Sequence, residues 1–222
     1  MKRTGRIITA SVLSAIICLG CGAMATTASA VETGNASVQA AEDKPILRDG
    51  VWMGFGLTGQ TEYFEFHNPT GTLRVLSAEN MIGLGGNFDY DRATGIYTVS
   101  LGCVSNVETW ELTSNNGRIA TLSTSDGNGY SLFYLGTGSA GDFFSLSRLN
   151  EMSKNYFAAV NGSANDVCID SRLIPNCSGL AEVTVYARDT MRQVIVDTYT
   201  ISVRTGVGTD SNGNTIDFSE FE

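Results

Sequence analysis

Short runs of alternating apolar and polar residues fill the chain between positions 50 and 136. Within TEYFEFH (61–67), Glu62, Phe64 and Phe66 share one face of a strand, and the residues between them share the other. Such runs recur about every 11 residues, a spacing typical of an all-β sandwich or barrel. The eight predicted strands lie near 50–57, 61–67, 72–79, 84–91, 96–103, 107–113, 118–124 and 129–135.

Explicit turn signals separate these runs. NPTG at 68–71, RATG at 92–95 and NNG at 115–117 supply Gly or Asn where the chain must reverse tightly. Eight short antiparallel strands in sequence can close on themselves and remove their edges. The sequence therefore predicts a mainly β fold with an N-terminal up-and-down antiparallel β-barrel, and a sandwich is the alternative.

A different pattern begins after the Gly/Ser-rich stretch 136–142. Apolar residues at helical spacing predict a helix near 146–161, capped by Ser145 or Ser147 and stopped by Gly162. Three strand candidates follow: AEVTVYARD, QVIVDTYTISV and VGTDSNGNTIDF. We expect a small α+β module built from one helix and a three-strand antiparallel meander.

The N-terminus reads as an export signal. Three basic residues, an apolar run and Ala28-Ser29-Ala30 predict a signal peptide over 1–30. The alternative is a cell-surface lipoprotein anchored through Cys21. A flexible leader (31–45), a barrel domain (46–136) and the helix-plus-meander module (143–222) would follow, unless the helix packs on the barrel mouth and makes one larger unit.

Charge narrows the classes of partner. Removal of residues 1–30 takes away three of the 14 Lys and Arg side chains and none of the 23 Asp and Glu side chains, which leaves a net charge of −12. Such a chain repels phosphate backbones, so nucleic acid is not an expected partner. No stretch of the mature sequence is long and apolar enough to predict a transmembrane helix.

Three cysteines remain in the mature chain. The nearby pair Cys168 and Cys177 predicts a disulfide in an oxidising compartment, and Cys103 is left as a buried free thiol.

A loop near the C-terminus resembles the start of a calcium site. Asp210, Asn212 and Asn214 match the first three ligand positions of an EF-hand loop, but position 6 is Thr215 and Glu220 falls at position 11. Asn212-Gly213 is also a strong hairpin signal. We interpret the segment as a turn.

Two glycine-rich stretches have equally simple interpretations. GFGLTG (54–59) has the dinucleotide-binding spacing but is followed by a strand, so a bend and a chain reversal explain its glycines. GTGSAG (136–141) does not have the spacing of a nucleophile elbow around Ser139.

Catalytic and metal-binding candidates are few. His67 is the only histidine, and with Glu65 on its face it supplies two metal ligands at most, so we interpret it as an exposed residue beside a turn. Paired acids could serve a carboxylate-dependent hydrolase that uses Asp89, Asp91 or Glu108. We assign no catalytic, cofactor or metal residues, and no cofactor is expected.

Gly50-Val51-Trp52 opens the first predicted strand. This G-x-W at the start of an up-and-down meander resembles the calycins, which include lipocalins, fatty-acid-binding proteins and avidins. The resemblance implies that Trp52 plugs one end of the barrel and packs on an arginine, for which Arg148 is the candidate.

The C-terminal part resembles a PepSY-like or half-cystatin module. Its helix, its meander and the Thr205-Gly206 turn carry that resemblance, which implies an accessory or peptidase-directed role.

The leading functional hypothesis is a secreted, non-enzymatic binding or interaction protein. A cavity in the barrel would take a small apolar or amphipathic ligand, and a filled barrel would leave surface binding to an extracellular protein or glycan. The alternatives are a peptidase inhibitor or accessory partner acting through the C-terminal module, and the hydrolase.

Overall fold

The computed structural model describes residues 43–102, 107–188 and 193–221. The predicted signal peptide, Cys21, positions 31–42 of the leader and Cys103 lie outside the described residues.

Eight antiparallel strands close into a barrel in which each strand pairs with its neighbour in the chain and β1 pairs with β8. The predicted barrel and its strand positions are confirmed. The strands are β1 (Gly50–Gly56), β2 (Thr61–His67), β3 (Thr72–Ser77), β4 (Gly83–Asp91), β5 (Ile96–Leu101), β6 (Val107–Asn115), β7 (Ile119–Thr124) and β8 (Gly129–Gly136).

The interior of the barrel follows the alternation along each strand. Trp52 pairs with Phe64, which pairs in turn with Val75, so one inward row continues from β1 to β3. Large side chains fill most of this space, and the apolar burial is the main force that holds the sheet closed. The fully or nearly fully buried interior residues are Leu47, Trp52, Phe64, Phe66, Leu73, Tyr97, Val99, Trp110, Leu112, Ala120, Leu122 and Leu132.

One end of the barrel is covered by residues 44–49, which we call the N-terminal strap. Leu47 of the strap is fully buried, and its amide donates a hydrogen bond to the Tyr97 hydroxyl at 2.8 Å. Side-chain amides of Asn68 and Asn115 donate to strap carbonyl groups at 2.8 and 3.1 Å. The strap therefore seals this end while its polar backbone groups keep partners.

Beyond the barrel, a short 3₁₀ helix (Ala140–Asp142) leads into helix α1 (Leu146–Asn161). The Ser145 hydroxyl accepts a hydrogen bond from the Arg148 amide at 3.0 Å, which identifies Ser145 as the N-cap. Gly162 ends the helix with φ of +83°, a left-handed conformation that glycine adopts without steric cost. The predicted helix is confirmed at both ends.

The C-terminal sheet is larger than predicted. It contains five antiparallel strands in the order β13-β12-β11-β10-β9, whereas the sequence predicted three. Two changes account for the difference: the third candidate forms the two strands β12 and β13 of a hairpin, and β9 was not predicted. Strand β9 alternates buried and exposed positions like the others, but its cysteine led us to interpret the segment as a disulfide loop. The strands are β9 (Val167–Leu173), β10 (Leu180–Arg188), β11 (Gln193–Ser202), β12 (Val207–Thr209) and β13 (Thr215–Asp217), followed by a 3₁₀ helix at Phe218–Phe221.

The predicted disulfide is not formed, and Cys168 and Cys177 are both free thiols. Cys168 lies near the start of β9 opposite Tyr186, and Cys177 lies in the loop beyond the other end of that strand. The strand residues between them span roughly 17 Å at ~3.3 Å each, whereas a disulfide needs Cα atoms within about 7 Å. The prediction was wrong because β9 extends the chain where a loop was expected.

A second hydrophobic core joins the outer face of the barrel to α1 and the C-terminal sheet. Val51, Met53 and Tyr63 point outward from β1 and β2 and are fully buried in it. The Tyr63 ring stacks on Phe143, with ring centroids 5.6 Å apart. These strands are therefore buried on both faces. The domain boundaries predicted at 46–136 and 143–222 stay a prediction.

Across the described residues, the helices are too short or too polar to cross a membrane.

The seal at the strap end predicts a specific stability difference between two leucines. Leu47→Ala should lower the free energy of unfolding by about 2–5 kcal/mol, because it removes a fully buried side chain. Leu57→Ala, at a leucine that is 80% exposed, should change it by less than about 0.5 kcal/mol. Denaturant unfolding of both variants measures the difference, and equal effects would contradict the role of the strap.

Candidate functional site

The calcium-like segment near the C-terminus is a hairpin, as predicted. Thr209 of β12 pairs with Thr215 of β13 across the turn. The Asp210 carboxylate accepts hydrogen bonds from the side chain and backbone of Asn214 and from the Asn212 amide. These bonds, that from the Asn214 side chain first, hold the pKa of Asp210 below its usual value. The carboxylate therefore organises the turn itself.

The two glycine-rich stretches also have structural roles. GFGLTG forms the end of β1 and the β1–β2 turn, where the Gly59 amide donates to the Gly56 carbonyl at 3.0 Å. In GTGSAG, the Ser139 hydroxyl and the Ala140 amide both donate to the Glu65 carboxylate, at 3.1 and 2.9 Å. This stretch thus ties the barrel to the segment that follows it.

His67 is exposed at the end of β2, as predicted. Its Nδ1 lies 3.3 Å from the Asp49 carboxylate, and both side chains are about half exposed. Glu65, two residues away, pairs instead with Arg74 at 3.3 Å. Among the described residues, no group of three or more His, Cys, Asp and Glu side chains could hold a metal ion.

The structure does not bring the three carboxylates of the hydrolase hypothesis together. Asp89 and Asp91 are exposed on the outer face of β4, and Asp91 accepts hydrogen bonds from Ala93 and Thr94 in the next turn. Glu108 lies on the inward face of β6, in the same inward set as Trp110. An inward and an outward carboxylate cannot act on one bond.

Trp52 occupies the end of the barrel that the strap covers. Its indole donates to the Arg48 carbonyl at 2.9 Å, and its ring lies 5.0 Å from that of Tyr134. The Arg48 guanidinium lies over the Tyr134 ring at 5.7 Å. Arg148 is not the arginine of this cluster, because it lies on α1 and pairs with Glu151 at 2.6 Å. Gly50 and Trp52 therefore open β1 as expected, but the arginine near Trp52 is Arg48 and not Arg148.

The opposite end of the barrel contains a cavity of about 230 Å³. The residues around it come from the ends of β2 to β8 that point away from the strap. It is bounded by aromatic and aliphatic side chains below and by carboxylates above. The lining residues are Glu62, Phe64, Val75, Leu84, Leu101, Glu108, Trp110, Thr124, Asp126, Asn128 and Tyr130.

Three aromatic rings form the floor and wall of the cavity. Phe64 meets Trp110 and Tyr130 edge to face, with ring centroids 6.0 and 5.1 Å apart. Gly54 makes this arrangement possible, because a Cβ atom there would lie 2.4 Å from the Phe64 ring. A larger residue at position 54 would push the ring out of its place.

Two half-buried carboxylates lie above the rings. Glu62 lies on the same inward face of β2 as Phe64, and burial raises the pKa of its carboxyl above the usual value, while a hydrogen bond with Tyr130 acts in the opposite direction. Glu108 accepts a hydrogen bond from the Trp110 indole at 3.0 Å. Neither belongs to an ion pair within the described part of the chain.

A third carboxylate stands at the rim. Asp126 lies in the turn between β7 and β8, where hydrogen bonds from the Thr124 hydroxyl and the Asn128 amide hold its pKa below the usual value. Burial raises the pKa of Tyr130 to about 12, so its hydroxyl stays protonated at neutral pH. Gln60 donates to that hydroxyl at 3.1 Å and fixes it beside the acids.

The site as a whole was not predicted from the sequence. The alternation along β2 predicted Glu62 on the face of Phe64, and the same spacing of two places Glu108 with Trp110. That spacing was the available signal. The pattern alone did not show that both acids lie at the same end of a closed barrel, because this depends on strand register and closure.

The cost of burying Glu62 gives a pH-dependent prediction. Folding raises the pKa of this carboxyl group, so the group costs no stability in acid, where it is protonated in both the folded and the unfolded state. The free energy of unfolding then falls as the pH rises from the unfolded pKa through the folded pKa. Glu62→Gln should therefore raise the free energy of unfolding at neutral pH, and the gain should disappear in acid. Denaturant unfolding at both pH values, with Glu111→Gln on the outer face as the control, measures it. A loss of stability at neutral pH would contradict the assignment.

No protein-family model, no curated protein and no solved structure significantly matches this chain.

Proposed function

We propose that the protein is a secreted binding protein that takes a small amphipathic molecule into the open end of its barrel. The observation that carries this proposal is the cavity of about 230 Å³ at one end of a barrel whose other end is sealed. Secretion is part of the proposal and rests on the residue pattern of positions 1–30.

The lining of the cavity supports a binding role. Binding sites for small molecules are concave, mostly apolar, and carry a few polar groups that orient the ligand. Here Phe64, Trp110 and Tyr130 supply apolar area, and Glu62 and Glu108 supply polar groups at one side of it. An apolar body would lie on the rings with its polar end toward the acids.

Its size sets the class of ligand. An apolar cavity of roughly 150 Å³ accepts a molecule such as benzene. A cavity of about 230 Å³ therefore suits a single ring with a short chain, or the end of a longer molecule that projects from the mouth.

The calycin resemblance supports the same proposal. The chain forms a closed eight-strand antiparallel barrel, with the tryptophan of its G-x-W buried at the sealed end. The C-terminal module covers the outer face of β1 and β2 with its apolar residues, which gives it a supporting role in this barrel. Its PepSY-like or peptidase-directed role stays a prediction.

A neutral probe tests the proposal directly. 4-Phenylbutan-1-ol carries one ring and a short polar end, and we expect it to bind with a dissociation constant of about 4 mM or lower, given ligand efficiencies of roughly 0.3 kcal/mol per atom or better. Isothermal titration calorimetry measures the affinity. Trp110 lines the cavity and Trp52 does not, so Trp110→Phe should remove the change in tryptophan fluorescence on binding, while Trp52→Phe keeps it.

Two matched valine variants locate the binding. Val75→Phe places extra volume in the cavity and should weaken binding of the alcohol at least about tenfold, the loss expected when a pocket is filled. Val107→Phe adds the same volume at an exposed position of β6 and should leave binding unchanged. Equal binding by both variants would overturn the proposal.

A further inference from the structure

The charged residues around the cavity indicate more than a capacity to bind apolar molecules. Of the described residues that line it, three carry carboxylates and none carries a basic side chain. Glu62, Glu108 and Asp126 come from β2, β6 and the turn between β7 and β8, so three separate elements place negative charge at one cavity. Arg74 lies on the outer face of the barrel, where it pairs with Glu65, and Arg48 lies over Tyr134 at the sealed end.

These carboxylates lack a cationic partner within the described residues. The four ion pairs there involve other acids. A half-buried carboxylate without a counter-charge is costly, and the raised pKa of Glu62 reflects that cost. A ligand with a positive charge would supply the missing counter-charge.

The aromatic floor favours an organic cation over a neutral molecule. Cations are attracted to the faces of Trp, Tyr and Phe rings, and a partly desolvated site strengthens that attraction. Phe64 and Trp110 each lie two residues deeper in the barrel than Glu62 and Glu108, and Tyr130 lines the same cavity. An ammonium group beside the carboxylates and an apolar body on the rings would satisfy both halves of the cavity.

An organic cation also matches the arrangement of the acids better than a metal ion does. The three carboxylates do not form a group that could hold a metal, as judged over residues 43–102, 107–188 and 193–221. They line a cavity whose other lining residues are mostly apolar. Oxygen ligands for a hard cation converge on one point, whereas these carboxylates border a space the size of a small molecule.

We infer that the cavity selects amphipathic amines, in which a protonated nitrogen meets Glu62 and Glu108 while the apolar body lies on Phe64 and Trp110. This inference rests on the proposed function and specifies its ligand class. The Tyr130 hydroxyl and Gln60 hold the acid side of the cavity in place.

Three probes of one shape separate charge from size. 4-Phenylbutylamine is cationic at neutral pH, 4-phenylbutan-1-ol is neutral, and 4-phenylbutyrate is anionic. At about 0.15 M salt, where the screening length is about 8 Å, long-range attraction by the net charge is weak. We expect the amine to bind about tenfold more tightly than the alcohol, given one ion pair and one cation–π contact, and the butyrate to bind more weakly than either.

Variants of the acids identify the source of the preference. Glu62→Gln and Glu108→Gln, singly and together, should move the ratio of amine to alcohol affinity toward one. Glu111→Gln, which removes an acid from the outer face of the same barrel, should leave that ratio unchanged. Circular dichroism of each variant checks that the fold is kept.

The outcomes separate the two proposals. Binding of the alcohol without preference for the amine would overturn the inference and leave the proposed function standing. A preference that survives both inward substitutions would also overturn the inference, because it would then arise from surface charge. Absence of binding by all three probes would overturn both.

Discussion

The packing of the N-terminal strap on Trp52 is the contact on which the rest of the molecule depends. A closed barrel has two ends, and apolar side chains at either end need a cover to stay out of water. Leu47 provides that cover at one end, and Tyr97, Asn68 and Asn115 supply hydrogen bonds to the strap backbone. The interior is therefore filled at this end, and the remaining space lies at the end that carries Glu62 and Glu108.

Strand β2 connects this interior to the C-terminal half of the chain. Phe64 points into the barrel, while its neighbour Tyr63 points out and stacks on Phe143. Glu65 then accepts hydrogen bonds from Ser139 and the Ala140 amide. The wall that carries Glu62 is thus held from both sides, and a wall that does not shift keeps a carboxylate at a fixed position over the aromatic floor.

Much of the fold could be predicted from local pattern, and less of the site. The period of two fixed the eight barrel strands, and Ser145 and Gly162 fixed the helix, because these signals act over a few residues. Strand β9 and the disulfide were mispredicted together, since two cysteines near each other in sequence outweighed the alternation around them. The cavity depends on which strand ends meet after closure, and on which side chains leave space unfilled, and neither is a local property.

The up-and-down topology has a consequence for how such a protein can change. Each strand has one end at the sealed base and the other at the mouth. The residues that close the barrel and the residues that line the cavity therefore lie at different positions along the same strands, and not in different domains. The turns at Leu57 and Gly127 stand at the mouth, far from the packing of Leu47. New side chains in those turns would change the residues at the mouth while the packing around Leu47 is left intact, so the mouth of this barrel can vary without loss of the fold.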